Sequence, residues 1–376
     1  MGDPSIEWTD KTWNPTRGCS KVSEGCRNCY AERVAARFSK PGQPYEGTIL
    51  GGKWSGTIAM ADARFTDPLR WRKSCRIFVN SMSDLFHEAL PDEAIDRVFA
   101  VMAMAPSHTF QVLTKRPERM RRYFETTNID ATRRQAVSGA MHAVGREIEA
   151  TWSDAALRRS QYAATAAAID YQHAAWPLPN VWLGVSVEDQ AIADERIPLL
   201  LKTPAVVRFV SYEPALAGVD FRPYVANLDV GCCPQCGFRT NARAVLFCPN
   251  DGRVLTDDVR LNWVIVGGES GPGARPFDVA WARSTVAQCK AAGVACFVKQ
   301  LGARPRVAND SQQLDWPVRP GFDDVAFPAE RAGGAPGGGQ WWTTPTVSDR
   351  KGGDMAEWPE DLRVREFPVG DRRPAN

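Results

Sequence analysis

Residues 13–38 read WNPTRGCSKVSEGCRNCYAERVAARF. Three cysteines, Cys19, Cys26 and Cys29, sit in a loop rich in Gly, Ser and charge. A helix-like segment follows at once: Ala31, Val34, Ala35 and Phe38 fall at i, i+3, i+4 and i+7, the spacing of one helical face. A cysteine loop that runs into a helix suits metal chemistry, because backbone N–H groups and the positive end of the helix dipole face the loop and stabilise thiolates. Structural zinc takes four protein ligands, and a cysteine-held iron–sulfur cluster normally takes four. Three ligands alone leave one metal position open to a substrate or cofactor. Zinc with a fourth ligand from elsewhere, or three ordinary loop cysteines, are the competing readings.

Outward from this stretch, short apolar runs alternate with helix-like segments. The strand candidates are Thr12–Trp13, Thr57–Met60, Ile77–Val79, Phe110–Leu113, Val181–Val185, Val206–Val210, Trp263–Val266 and Cys296–Val298. Several are continuously apolar, as in a parallel sheet buried on both faces. Asp92–Ala105, Glu188–Leu201 and Val279–Ala292 are each long enough for a helix. This alternation predicts an α/β fold with a parallel sheet. The runs are repeatedly followed by polar groups: Ser81–Asp84, Thr114–Lys115, Ser186–Glu188, Ser211–Glu213 and Gly267–Ser270. In a parallel barrel such ends share the mouth where active sites are built, although any one of them could simply cap the next helix.

Two insertions and an extension interrupt the pattern. Residues 128–176, rich in Ala, Arg, Gln and Glu, predict a helical insertion, and Arg121, Arg122, Arg133 and Arg134 at its entry read as a solvated face. Within 230–256, Cys232-Cys233-Pro234-Gln235-Cys236-Gly237 and Cys248-Pro249-Asn250-Asp251-Gly252 look like the two knuckles of a zinc ribbon, with Cys233, Cys236, Cys248 and Asp251 as ligands of a structural Zn2+. Cys232 is a possible substitute, and a metal-free ribbon or a redox pair are the alternatives. Residues 303–350 are rich in Gly and Pro and predict an irregular loop, and the tail around Trp358–Phe367 is expected to pack back. The expected division is 1–302 and 303–376. Cys75, Cys289 and Cys296 stand beside apolar residues and read as core.

The 376 residues carry a net charge of +2, which is no global nucleic-acid signature. The chain has no run of eighteen apolar residues for a membrane span, and MGDPSIEWTDK lacks the apolar core of a signal peptide. Ten cysteines in motif-like groups then predict metal sites in a cytoplasmic protein.

The segment Gly25-Cys26-Arg27-Asn28-Cys29-Tyr30-Ala31-Glu32 resembles the cysteine loop of radical S-adenosylmethionine (SAM) enzymes of the spore-photoproduct-lyase-like branch. Most of residues 5–302, and again 351–368, resemble a phage-associated three-cysteine-motif family. Its further signatures are Val79-Asn80-Ser81-Met82-Ser83-Asp84-Leu85-Phe86-His87, Leu113-Thr114-Lys115-Arg116-Pro117, Leu183-Gly184-Val185-Ser186-Val187-Glu188 and Val266-Gly267-Gly268-Glu269-Ser270-Gly271-Pro272. The spacing departs from the usual C-x3-C-x2-C: here it is C-x6-C-x2-C, with Asn28 where an aromatic is usual.

The resemblance implies a partial or full (β/α) barrel of radical SAM type. It implies a [4Fe–4S] cluster on Cys19, Cys26 and Cys29, and reductive cleavage of SAM to a 5′-deoxyadenosyl radical. It places Ser83 and Asp84 near the SAM amino group, Lys115 (with Thr114) at its carboxylate, and Ser186 and Glu188 at its ribose. Glu213 and Glu269 would face the amino group or the substrate, and His87 would be a proton donor. Gly267 and Gly268 would let the backbone approach a ligand. An electron donor of flavodoxin or ferredoxin type is implied as partner. A nucleic-acid substrate is suggested, with Arg17, Lys21, Arg27, Arg33, Arg37 and residues 115–122 available to phosphates. The alternative from another class is a non-enzymatic zinc-stabilised barrel that binds nucleic acid or a protein; metal-assisted hydrolysis at the acidic rim is a third reading.

Overall fold

A computed structural model describes residues 6–125, 130–151, 177–225, 231–232, 239–240, 260–308, 342–343, 345 and 347–368. Seven strands form one sheet: β1 (Lys11–Trp13), β2 (Arg76–Val79), β3 (Thr109–Thr114), β4 (Val181–Val187), β5 (Val207–Tyr212), β6 (Trp263–Gly267) and β7 (Ala295–Gln300). Their order in the sheet is their order in the chain. The pairs β1–β2, β2–β3, β3–β4 and β6–β7 are parallel. A doubly wound sheet reverses its strand order at a switch point; this one does not, which is compatible with a partial barrel. Every residue of β2, β4, β5 and β6 is buried, which explains why they are mainly apolar, with Arg76 in β2 and Arg208 in β5 as buried exceptions.

Helices fill the connections: α1 (Tyr30–Arg37), α2 (Asp92–Met104), α3 (Pro117–Glu125), α4 (Asp130–Thr151), α5 (Gln190–Leu201) and α6 (Val279–Ala292). The start of α2 carries Asp92 and Glu93, which complement the helix dipole. Asp278 caps α6 by accepting the Ala280 N–H at 2.9 Å. In the helical insertion, α4 packs on α2 through Val137, Met141, Val144 and Ile148, a buried stripe at helical spacing. The Arg97 guanidinium closes that contact on Glu147 at 2.9 Å.

Two expectations change. Thr57–Met60 is not a sheet strand: only Ala59–Met60 is extended, and it pairs antiparallel with Thr16–Arg17 beside the cysteine loop. Phe38 leaves the buried face of α1, because the helix ends at Arg37 and Phe38 turns out at its C-terminal cap. In the ribbon-like insertion, Gly231–Cys232 pairs antiparallel with Arg239–Thr240, while Cys233, Cys236, Cys248 and Asp251 lie outside the described residues.

The chain divides into two compact units, one from Met1–Val185 and Arg196–Phe209, the other from Ser186–Glu195 and Val210–Val369. The division thus runs through β4 and β5. In the second unit the tail lies along β7: Val298 N–H donates to Val364 O at 2.8 Å, and Glu366 N–H to Cys296 O at 2.9 Å. Trp358 is fully buried there, its Nε1 donating to Gly352 O at 2.9 Å. Among the described residues no helix is long and apolar enough to cross a membrane.

Candidate functional site

The cysteine loop leaves the end of β1 and is stitched to the loop after β2. Asn14 Oδ1 accepts the Met82 N–H at 2.9 Å and the Ser81 hydroxyl at 3.2 Å. Ser83 Oγ donates to Thr16 O at 2.9 Å and lies 2.8 Å from Thr16 Oγ1. Gly18, immediately before Cys19, has φ +94°, and a Cβ there would sit 2.0 Å from Thr57 O, so the entry to the loop admits only glycine. Cys26 ends a single 3-10 turn, and Cys29 is the N-terminal cap residue of α1. All three thiols are free and partly exposed. Among the described residues no three His, Cys, Asp or Glu side chains converge as a preformed metal site.

One buried guanidinium ties this loop to the strand ends. Arg116 Nη1 donates to Asp84 Oδ2 at 3.0 Å and lies 3.9 Å from Cys19 Sγ. Its Nη2 donates to Ser20 Oγ at 2.8 Å and Ser20 O at 3.1 Å, and its Nε to Glu88 at 2.8 Å. Asp84 also accepts the Thr114 hydroxyl at 2.7 Å and the N–H groups of Lys115 and Phe86 at 3.0 Å. His87 Nδ1 accepts the Ala89 N–H at 3.1 Å, so a neutral ring carries its proton on Nε2 and donates it to Ser20 Oγ at 2.8 Å. Burial, with the nearby Arg116 charge, keeps His87 below its ordinary pKa and favours that neutral form. Burial also pushes the Cys19 thiol up to about 12; the Asp84 charge adds to this and Arg116 opposes it. A metal would therefore displace the Cys19 proton on binding, as thiolate ligation requires.

Asn80, at the end of β2, has φ +62°, which is uncommon for a residue with a side chain. Its carboxamide is buried, and neither polar atom finds a partner among the described residues. Buried polar atoms without a partner suit a site that takes a further polar group.

The second unit holds the other predicted residues. Glu213 Oε1 accepts from Lys299 Nζ at 2.6 Å and from Gln300 Nε2 at 3.2 Å. Glu269 is held by Arg275 through Nη2 at 2.7 Å, Nε at 3.0 Å and the backbone N–H at 2.9 Å. Ser186 and Glu188 are buried at the end of β4, where Glu188 O accepts the Leu216 N–H at 2.8 Å. The close approach at Gly268 is to the chain itself: a Cβ there would lie 2.5 Å from Leu301 O. Gly267 has room, its Cβ position being 3.4 Å from Gln300 O.

Thus Asp84, Thr114, Lys115 and His87 meet around Arg116, while Ser83 holds the backbone of the cysteine loop. Asp84 has its donors supplied from within the chain, and so have Glu213 and Glu269. Sequence reasoning took Arg116 only as one of the basic residues 115–122 available to phosphates, and assigned no role to Ser20, Asn80, Lys299, Gln300 or Arg275. The signal for Arg116 was its place between the strand-ending Thr114 and the helix-opening Pro117, where a polar side chain is directed by both elements.

Comparison with curated proteins finds no match, and comparison with solved structures finds none. A family profile described as a protein of unknown function, DUF5131, matches residues 3–344. With that match over most of its length, the chain belongs to the DUF5131 family.

Proposed function

We propose that the protein is a radical SAM enzyme whose cluster is held by Cys19, Cys26 and Cys29. The observation that carries this reading is the set of three free, partly exposed thiols on one loop, anchored by Arg116 to the ends of β2 and β3. The donor chemistry fits a cluster held by three cysteines, and the loop would draw the thiols together on binding, as metal sites commonly do. A [4Fe–4S] cluster with one open iron would supply the electron that cleaves SAM reductively. The chain's own part is positional. Arg116 holds Ser20, and with it the loop, against Asp84. The Asn80 carboxamide, without a partner among the described residues, would be available to a polar ligand. On this reading Lys115, half-buried just past the end of β3, would meet an anionic group of the ligand.

Electron paramagnetic resonance of anaerobically reconstituted, dithionite-reduced protein tests this. A [4Fe–4S]+ signal that changes shape on addition of SAM is the expected result. Zinc in place of iron and sulfide, with no cluster signal, would overturn it. That outcome would favour a zinc-stabilised binding protein, a reading supported by the internal pairing of Asp84, Glu213 and Glu269.

A further inference from the structure

Helix α1 has two unlike faces. Ala31 and Ala35 are buried against Met82, with Val34, Tyr45, Ile49 and Trp54 packed around them. Tyr30, Arg33 and Arg37, at i, i+3 and i+7, form the other face, and both arginines are exposed. Phe38, the C-terminal cap, and Lys40 follow the helix and are both exposed. Tyr30 is 50% and Phe38 47% exposed, and with Val22 and Leu50 they are four of the five large apolar side chains exposed among the described residues. The Tyr30 ring is not loose, since its hydroxyl donates to Ser81 O at 2.6 Å.

The charge on this face is one-sided. Residues 17–40 carry six basic side chains and two acidic ones. Glu24 is closed by Arg27 at 2.6 Å, and Glu32 is buried and paired with Lys21 at 2.9 Å and Lys53 at 3.7 Å. Arg33, Arg37 and Lys40 make no ion pair among the described residues. Arg33 and Arg37 are about 6 Å apart along the axis, and Tyr30 and Phe38 about 12 Å apart.

We infer that this face of α1 binds a single-stranded nucleic acid, with phosphates on Arg33, Arg37 and Lys40 and unstacked bases on Tyr30 and Phe38. Charge complementarity names a polyanion, and the two half-exposed rings choose among polyanions. A duplex keeps its base faces hidden, and a lipid surface or a run of acidic side chains offers no flat π-face, whereas a single strand offers a phosphate and a base at every nucleotide. A ring already fixed by its hydroxyl loses little freedom on stacking. The face begins one residue after Cys29, so a strand lying on it leads to the cysteine loop. As a substrate assignment this rests on the radical SAM reading; as a binding assignment it does not.

The test is fluorescence anisotropy of the full chain with labelled single-stranded DNA and RNA of about 15 nucleotides, over a salt series. Binding that weakens with salt is expected, and the duplex of the same sequence should bind more weakly. The double variant Arg33→Glu/Arg37→Glu should lose at least about tenfold in affinity. Tyr30→Ala should lose about tenfold with the salt slope unchanged. Absence of binding, binding indifferent to the double variant, or equal competition by polyglutamate or phosphatidylserine vesicles would each overturn the inference. Melting curves check that the variants fold, which the exposure of both arginines favours. Iron and sulfide are measured on the same samples: oligonucleotide binding without a cluster removes only the radical reading, and a cluster without oligonucleotide binding removes only this one.

Discussion

The charged groups at the strand ends are used differently in the two units. In the first, one guanidinium reaches Asp84, Glu88, the Ser20 hydroxyl and carbonyl and the edge of the Cys19 thiol, and so joins three separate loops. In the second, Glu213 meets Lys299, and Glu269 meets an arginine six residues away. Among the described residues the first arrangement leaves valence over: three free thiols and the Asn80 carboxamide. The second is closed, and at Gly268 the backbone is already filled by Leu301. Polar residues at the ends of strands are therefore not equivalent; the ones that build a site are those whose partners leave something unpaired.

The largest test of this contrast compares Asp84→Ala with Glu213→Ala. The first removes the buried carboxylate partner of Arg116, leaving it only the exposed Glu88, and should cost about 3 kcal/mol in denaturant unfolding. The second breaks a partly exposed pair and should cost about 1–2 kcal/mol. Equal losses would erase the distinction between the units. Next, Gly268→Ala should cost about 3 kcal/mol, because the new methyl group meets backbone that cannot give way; a neutral result would mean that the second unit is not closed there.

A smaller effect concerns Glu32, which ties the cysteine loop to α1. Burial would raise its pKa, but the hydrogen bond from Lys21, the Trp54 N–H and the Lys21 and Lys53 charges outweigh burial and hold it below 4.5. Its folded pKa being depressed, its contribution is present above its unfolded pKa and is lost as pH falls through the folded value. The melting difference between the wild type and Glu32→Gln should therefore be full above about pH 4.5 and shrink below it. A pH-independent difference would remove this tie from the account of the loop. The smallest effect should come from Gly267→Ala, below about 1 kcal/mol, since its Cβ meets only ordinary contacts. A loss as large as that of Gly268→Ala would show that the whole turn, not one glycine, is packed shut.

Much of the sheet was legible because both of its faces are buried. The runs at Val181–Val187 and Trp263–Gly267 are apolar at every turn of the pleat, apart from glycine and Ser186, and need no partner to be recognised. Helices α2 and α6 were legible from length and spacing, and α6 ends at Gly293 in the left-handed region. Thr57–Met60 misled because two β-formers beside a glycine read the same in a large sheet and in a short two-stranded ladder. The basic character around the cysteine loop was visible too, but not which cations were already spent on Glu24 and Glu32.

What the sequence alone determined was the set of elements, their order, and the three cysteines gathered on one loop before a helix. These follow from local periodicity and spacing, which neighbours in the chain settle between themselves. Only the tertiary structure decided that Arg116 would be the joint of the candidate site, that Asp84, Glu213 and Glu269 would be neutralised from within, and that Gly268 would face backbone. Arg116 lies 32 residues from Asp84 and 97 from Cys19. Ion pairing and close packing depend on distance in space, and no periodicity in the chain encodes a partner that far away.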